Sequence, residues 1–287
     1  MTTVSIALCT YNGERFLDAQ LTSLSEQSHR PDEVVICDDD SSDGALGIIQ
    51  AFADTAPFKV RVFRNSQNLG YVKNFEKAVS LCQGDVIFMC DQDDVWHPEK
   101  IEICLGLLDA EQTVGLVLHD FNWIDADSRP YPGPVGAYGT EGLGAEALPE
   151  RFRRESIEIF MKPYPRAWCG CMMVFRRRFV DLIVPIFPGK GHDDWILKLL
   201  GPVTDVRFLT DKLVDYRIHG QNVNGRDITK RTLGYRWARF LFKANRALRG
   251  HSKRAFYRCL LKRLDQSGMS PIYPRLVEIY RLHTKLF

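Results

Sequence analysis

The tetrapeptide Asp91-Gln92-Asp93-Asp94 sets three carboxylates within four residues, where like charges repel unless a cation, a basic neighbour or proton uptake relieves them. Hard carboxylate oxygens suit Mg2+ or Mn2+, ions that bridge to substrate phosphates. The same residues also read as a solvated turn, with Asp94 near the start of the following helix. A second acidic run, 38–44, opens like a calcium loop at Asp39, but its twelfth position is Gln50 and not a bidentate Glu. A turn with a helix cap from Ser42 or Asp43 accounts for part of that run. Asp39 is the member placed to accept a hydrogen bond from a nucleobase N–H or a ribose hydroxyl. Further on, Asp193 and Asp194 stand at the mouth of a helix, where they cap it or where one acts as general base toward an acceptor hydroxyl. His219, between a strand and Gly220, is either structural or a neutral ligand completing a metal shell.

These groups need a scaffold that gathers them. Apolar, β-rich runs at 4–9, 33–37, 59–63 and 85–90 alternate with helix-like stretches, the pattern of an α/β fold with a mainly parallel central sheet. A helix over 14–27 aligns Phe16, Leu17, Leu21 and Leu24, and the one after Gly70 carries Phe75, Ala78, Val79 and Cys82. Pro98 suits the first turn of another, with Ile101, Leu105 and Leu108 facing the sheet. Ligands of open α/β sheets bind outside the carboxyl ends of the strands. Thr10, Tyr11 and Asn12 follow the first strand, Asp38 to Asp43 the second, Asn68 and Gly70 the third, and Asp91 to Asp94 the fourth. Parallel strands bring all four groups to one rim. Residues 128–150, crowded with Pro and Gly, predict a loop long enough for a lid or binding element. Strand-like sequence resumes at 171–175, a helix begins near Asp193, and two further strands are expected at 206–209 and 212–219.

At 287 residues, 45% hydrophobic and 26% charged, the chain has the balance of a soluble globular domain with a small appendage, which excludes extensive disorder. No apolar run approaches the ~18 residues of a membrane span. The N-terminus shows no basic region followed by an apolar stretch, so a cytosolic location is expected. Of eight cysteines only Cys169 and Cys171 lie close together, and no C-x-x-C pair offers a zinc site, so a reduced compartment is expected. The sequence has no G-x-G-x-x-G after the first strand, no G-x-x-x-x-G-K-[ST], no G-x-S-x-G and no H-E-x-x-H. That argues against nicotinamide dehydrogenases, P-loop NTPases, α/β-hydrolases and zincins.

Charge is divided unevenly. Residues 226–287 hold 16 Lys or Arg against 3 Asp or Glu, leaving 22 basic against 33 acidic residues in 1–225. In 236–249, Trp237, Phe240, Leu241, Ala244 and Leu248 share one helical arc opposite Arg236, Arg239, Lys243, Arg246 and Arg249. This basic extension has three readings: a helix packed on the body, a peripheral membrane contact through 227–250, or a nucleic-acid contact. The acidic body and the lack of a binding motif argue against nucleic acid.

Four ordered segments, VSIALCTYNGERFLDAQLTSLSEQS, DEVVICDDDSSDG, NLGYVKNFEKAV and DVIFMCDQDDVWHPEKIE, resemble the family 2 glycosyltransferases of GT-A fold. The resemblance resumes at WCGCMMVFRR, HDDWILKLLG and YRIHGQNVNG, and within the family the wording is most like bacterial rhamnosyltransferases of surface polysaccharide synthesis. It implies a GT-A domain over 1–225, with a nucleotide-sugar half at 1–110, an acceptor half at 111–225, and a helical extension at 226–287. It also implies inverting transfer from a nucleoside diphosphate sugar, dTDP-rhamnose or a UDP-sugar, to a saccharide or lipid-linked saccharide, with Mn2+ or Mg2+ as cofactor. By position, Tyr11 and Asp39 are the base-contacting residues, Cys9 and Thr10 line the same pocket, and Lys73 and Asn74 lie in the segment that closes over the nucleotide. Asn68 and Gln92 join that nucleotide set from their places on the rim. Asp93 matches the direct metal ligand, Asp91 approaches the ribose or metal shell, and His219 reaches the metal or diphosphate. Asp194 matches the base, although Asp193 stands where the family has Glu, so the two can exchange roles. Trp168, Gly170 and Cys171 border the acceptor. If the basic helix meets lipid, the enzyme sits on the inner face of the cytoplasmic membrane. A sugar nucleotidyltransferase and a catalytically idle scaffold of the same fold are the alternatives. The missing Gly-rich triphosphate loop argues against the first, and the intact acidic set against the second.

Overall fold

Val, Ile and Cys dominate the runs at 4–10, 33–38 and 86–90, which in the computed structural model lie side by side with both faces covered, while the run at 59–64 forms the partly exposed sheet edge. The structure describes residues 1–132, 169–188, 191–220, 246–269, 271 and 274–286. The elements of the first half are β1 (Val4–Thr10), α1 (Glu14–Ser25), β2 (Glu33–Asp38), α2 (Ala45–Thr55), β3 (Lys59–Arg64), α3 (Tyr71–Leu81), β4 (Val86–Cys90), a short β5 (Val95–Trp96) and α4 (Lys100–Ala110). Then come β6 (Val114–Ile124), β7 (Met173–Arg176), α5 (Val180–Ile183), α6 (His192–Leu200), β8 (Asp205–Arg217), α7 (Arg246–Gln266) and α8 (Pro274–Leu286).

One eight-stranded sheet runs β3-β2-β1-β4-β7-β6-β8-β5. Strands β3, β2, β1 and β4 are parallel. Beyond β4 the sheet is mixed: β7 is antiparallel to both β4 and β6, β6 is parallel to β8, and β5 is antiparallel to β8. Alternation along the strands divides the core in two. Ala7, Cys9, Ile87, Met89, Met173 and Phe175 face α3, α6, α7 and α8, whereas Val4, Ile6, Leu8, Phe88 and Val174 face α1, α2 and α4.

The second half departs from expectation. Strand β6 lies in a stretch the sequence reading left unassigned, and its His119 and Asp120 are buried among apolar neighbours. The two strands expected at 206–209 and 212–219 are one, β8, interrupted where its register against β6 shifts and Thr210, Asp211 and Lys212 are exposed. The run expected as a strand at 171–175 begins as a 3-10 turn, Gly170–Met172, before β7. Residues 133–168 lie outside the described residues, and with them most of the loop expected at 128–150 and the acceptor candidate Trp168. So do 221–245, which hold most of the proposed membrane-contact arc. The described end of the basic extension packs on the body: the Phe256 ring lies 5.8 Å from that of Trp195, and the Tyr280 hydroxyl donates to the Lys198 carbonyl at 3.1 Å. No described helix is long and apolar enough to cross a membrane.

Candidate functional site

The carboxyl ends of β1, β2, β3 and β4 share one edge, and each turns sharply there. After β1 the chain passes through Asn12 at φ 47°, a conformation Asn tolerates better than most side chains. Gln92 clamps this turn, accepting from the Tyr11 N–H at 2.7 Å and donating to the Tyr11 carbonyl at 3.0 Å. Gly13 permits the clamp, since a Cβ there would stand 2.2 Å from Gln92 Oε1. Tyr11 is 48% exposed, which leaves surface for a planar group to stack on its ring.

Past β2, Asp38 accepts from the Thr10 hydroxyl at 2.8 Å and from the Ser41 N–H at 2.9 Å. Asp39 accepts from Asn65 Nδ2 at 2.7 Å and from the Leu69 and Gly70 N–H groups, both at 2.8 Å. It thereby draws the loop after β3 against the rim, aided by Gly70 at φ 82°. Two carboxylate oxygens offer about four acceptor directions, so about one remains for a ligand. The helix-capping part of this run falls to Asp43, which accepts from the Glu14 and Ala45 N–H groups, while Glu14 accepts in return from Gly44. Asn68 donates to the Asp39 carbonyl at 3.3 Å. Asn74 is buried and donates to the Cys37 carbonyl at 2.7 Å, and half-exposed Lys73 pairs with Glu76. The Cys9 thiol is buried, which pushes its pKa well above the ordinary range.

The corner after β4 is built differently. Asp93 Oδ2 meets His219 Nε2 at 2.8 Å, and the Asp93 carbonyl accepts from Arg217 Nε at 2.7 Å. Asp94 does not cap α4: its Oδ1 accepts from the Arg217 N–H at 3.1 Å, the Cys171 thiol donates to the fully buried carboxylate, and Oδ2 meets no N–H or O–H among the described residues. Burial, and then the charges of Asp93 and Asp193, push Asp91 up to about 7. Asp91, Asp94 and the buried Cys171 each bring one ligand atom to within 4.8 Å of the others. Beneath them Lys100, with none of its surface exposed, donates to the Cys171 carbonyl at 2.8 Å and lies 3.6 Å from the Trp96 ring centre. Asp94 was expected within the acidic cluster and as a helix cap, with no separate binding role, and Lys100 was not among the expected site residues. A signal was present for Lys100, because Lys100, Cys104 and Leu108 share one helical stripe.

At the start of α6 the two candidate bases diverge. Asp194 is held by Lys198 one turn on, at 2.5 Å, and its charge reaches Tyr257 and Tyr280 of the C-terminal helices, whose pKa values burial already raises. Asp193 accepts from the Asp194 N–H at 2.7 Å, and its charge is felt by Asp91 and by Tyr71. His192 lies buried against Phe75, ring centres 4.2 Å apart, and Gly170 passes so close that a Cβ would stand 2.2 Å from His192 Nε2. Gly170 and Cys171 thus sit between the β4 corner and α6.

Residues 5–182 match the model of Glycosyl transferase family 2. An uncharacterized glycosyltransferase of Nostoc sp. is 26% identical over 226 residues, which are 76% of this chain and 66% of that protein. A dTDP-rhamnosyl transferase of Shigella flexneri is 34% identical over 105 residues, 35% of this chain and 36% of its own. The matched part is therefore about two thirds of the first relative's length and about a third of the second's. Among solved structures, S. aureus TarS 1-349 in complex with UDP-GlcNAc superposes with a TM-score of 0.64 at 15% identity, covering 99% of this chain and 73% of that one. That likeness is one of fold.

Proposed function

The chain belongs to glycosyl transferase family 2, and from that premise we propose that it transfers a sugar, with inversion and with a divalent ion, from a nucleoside diphosphate sugar to an acceptor hydroxyl in bacterial surface polysaccharide synthesis. The observation that carries the reading is the convergence at one edge of the sheet. Tyr11, Asp39 and the β4 carboxylates come from the nucleotide half, Asp193 comes from the acceptor half, and the Asp91 and Asp193 charges act on each other. Its narrower form, a dTDP-rhamnose or UDP-sugar donor, is supported by the resemblance and by the likeness to the dTDP-rhamnosyl transferase. A cytoplasmic location, with 227–250 on the inner membrane face, belongs to the same proposal.

Tyr11 stacks on the base, Asp39 offers its remaining acceptor direction to a base or ribose donor, and Gln92 holds the Tyr11 backbone for both. The corner after β4 fits a divalent ion, since its carboxylates repel one another and one buried oxygen lacks any N–H or O–H donor among the described residues. Asp91 and Asp93, with His219 behind Asp93, would hold Mn2+ or Mg2+, which when bound stabilises negative charge developing on the departing diphosphate. Of the two candidate bases, the surroundings favour Asp193: its charge acts on Asp91, whereas Asp194 is engaged by Lys198. Asp193 takes the acceptor proton on the side of the sugar opposite the diphosphate, which yields inversion.

Calorimetric titration with UDP, dTDP, GDP and CDP, with and without Mn2+, tests the proposal. One nucleotide should bind in a metal-dependent way, with the dependence lost in Asp93→Ala. Folded protein that binds none of the four would leave the fold without this function.

A further inference from the structure

Tyr71 belongs to neither the nucleotide set nor the metal set, yet it is anchored between the two halves of the molecule. It is the first residue of α3, directly after Gly70, whose N–H donates to Asp39 at 2.8 Å and so ties Tyr71 to the proposed nucleotide pocket. On its other side the Tyr71 ring meets the His192 ring edge-on, centres 6.0 Å apart, and His192 directly precedes Asp193, the proposed base. Burial, and then the charge of Asp193, raise the Tyr71 hydroxyl, so the phenol stays protonated as a donor. Between these anchors Tyr71 remains 46% exposed. His192 behind it is 6% exposed, and neither of its ring nitrogens has a partner among the described residues. Its ring is fixed against Phe75 and Gly170, so the nitrogens do not turn away to find one. A buried polar group left unpaired calls for an explanation, and a ligand supplies one.

We infer that Tyr71 is a stacking platform for a pyranose ring, braced by His192, which pairs with a hydroxyl of the same sugar. This deepens the proposed function and rests on it in taking the ligand to be the donor or the acceptor sugar. One face of a pyranose presents C–H groups of partial positive charge, which suit the negative face of a phenol ring. Its rim carries hydroxyls, each a donor and an acceptor at once. Burial lowers the His192 pKa, so the imidazole is neutral and offers one donor and one acceptor to match. A nucleobase would also stack on an exposed ring, but Tyr11 stands ready for that at the end of β1, whereas Tyr71 lies on the side of α6 and Asp193.

Two binding measurements on the full chain with Mn2+ tell the sources apart. Calorimetry with UDP against UDP-glucose, and with dTDP against dTDP-rhamnose, reads the donor sugar. Saturation-transfer NMR with methyl glucoside, methyl N-acetylglucosaminide and methyl rhamnoside, at saturating nucleotide, reads the acceptor. Tyr71→Ala should weaken the nucleotide sugar, or the glycoside, by about threefold to tenfold and leave the free nucleotide within about twofold of wild type. Tyr71→Phe keeps the ring and should stay within about twofold on every ligand. His192→Leu should reproduce the loss seen in Tyr71→Ala. Should that variant fail to fold, Tyr71 carries the test alone, since it is exposed enough to be replaced without unfolding the chain. Sugar binding unchanged in Tyr71→Ala, or a free nucleotide weakened as much as its sugar conjugate, would overturn the platform, and sugar binding unchanged in His192→Leu would overturn the brace. Nucleotide binding with no sugar response to Tyr71→Ala sinks only this inference. Glycoside binding that depends on Tyr71 in a chain that takes no nucleotide sinks only the glycosyltransferase reading, and a chain that binds neither sinks both.

Discussion

At the end of β2, each carboxylate oxygen of Asp38 and Asp39 accepts from an N–H or O–H supplied by the protein, whereas across β1, at the end of β4, Asp94 Oδ2 meets no such donor among the described residues and Asp91 is pushed up to about 7. The two acidic runs look alike in sequence. Their surroundings differ because the loop after β3 folds over the first and brings Asn65, Leu69 and Gly70 as donors. The second faces Cys171 and the opposite half of the sheet instead. A saturated acidic cluster organises backbone, and an unsaturated one is left for a ligand. The contrast repeats on a smaller scale in α6, where Asp194 pairs with Lys198 and the charge of Asp193 acts on Asp91.

The largest effect should come from the unsaturated side. Asp193→Asn keeps the acceptor that caps the Asp194 N–H but removes the basic lone pair, so transfer should fall by about 10²–10⁴-fold. Nucleotide affinity, measured calorimetrically, should stay within about threefold of wild type. Transfer that survives in Asp193→Asn would return the role to Asp194.

Next come two substitutions of one kind with opposite signs. Asp39→Asn places an amide where three donors converge, and urea unfolding should show a loss of about 2–3 kcal/mol. Asp91→Asn should not destabilise the metal-free protein and should flatten its pH dependence. The sign follows from linkage. Asp91 titrates near 7 in the folded chain but near 3.9 when unfolded, so its ionisation opposes folding. The contribution of Asp91 to stability should be full below its unfolded pKa near 3.9, fall as pH rises to about 7, and level off above that. Saturating divalent ion should erase the decline. A metal-free stability profile identical in the two proteins would remove Asp91 from the strained set.

How much of this was legible follows the same divide. Strands β1, β2 and β4 read clearly because strands buried on both faces are continuous apolar runs, and the turns after them carry the Asn, Asp and Gly that tight turns select. Strand β6 escaped because buried His119 and Asp120 interrupt its run, and β8 read as two strands because its exposed register shift imitates a turn. The rim itself was legible from strand order. Which acids are saturated was not, because the donors to Asp39 come from residues 26 to 31 positions away, and Arg217, which reaches Asp94, lies 123 positions away. Lys100 had no place in the sequence reading, although its ammonium lies buried over the Trp96 ring and donates to the Cys171 carbonyl.

The smallest predicted effect tests the contrast most finely. Asp194 and Asp193 are adjacent on one helix, equal in chemistry, and both in the first turn where the helix dipole favours a negative charge. If proximity to the mouth of α6 were enough for catalysis, removing either charge would cost alike. Asp194 spends its charge on Lys198 one turn along, on a face that meets Tyr257 and Tyr280 of the C-terminal helices. Its side chain is 39% exposed, so the pair belongs to the class worth about 0.3–0.5 kcal/mol. Asp194→Asn should therefore leave transfer within about threefold of wild type, with a loss of stability no larger than that pair. The two measurements are independent, since transfer reads the charge at the cleft and urea unfolding reads the bond to Lys198. A hundredfold fall in transfer with stability intact would mean that Asp194 turns toward the acceptor in the working enzyme, and that saturation by Lys198 does not mark a residue as structural.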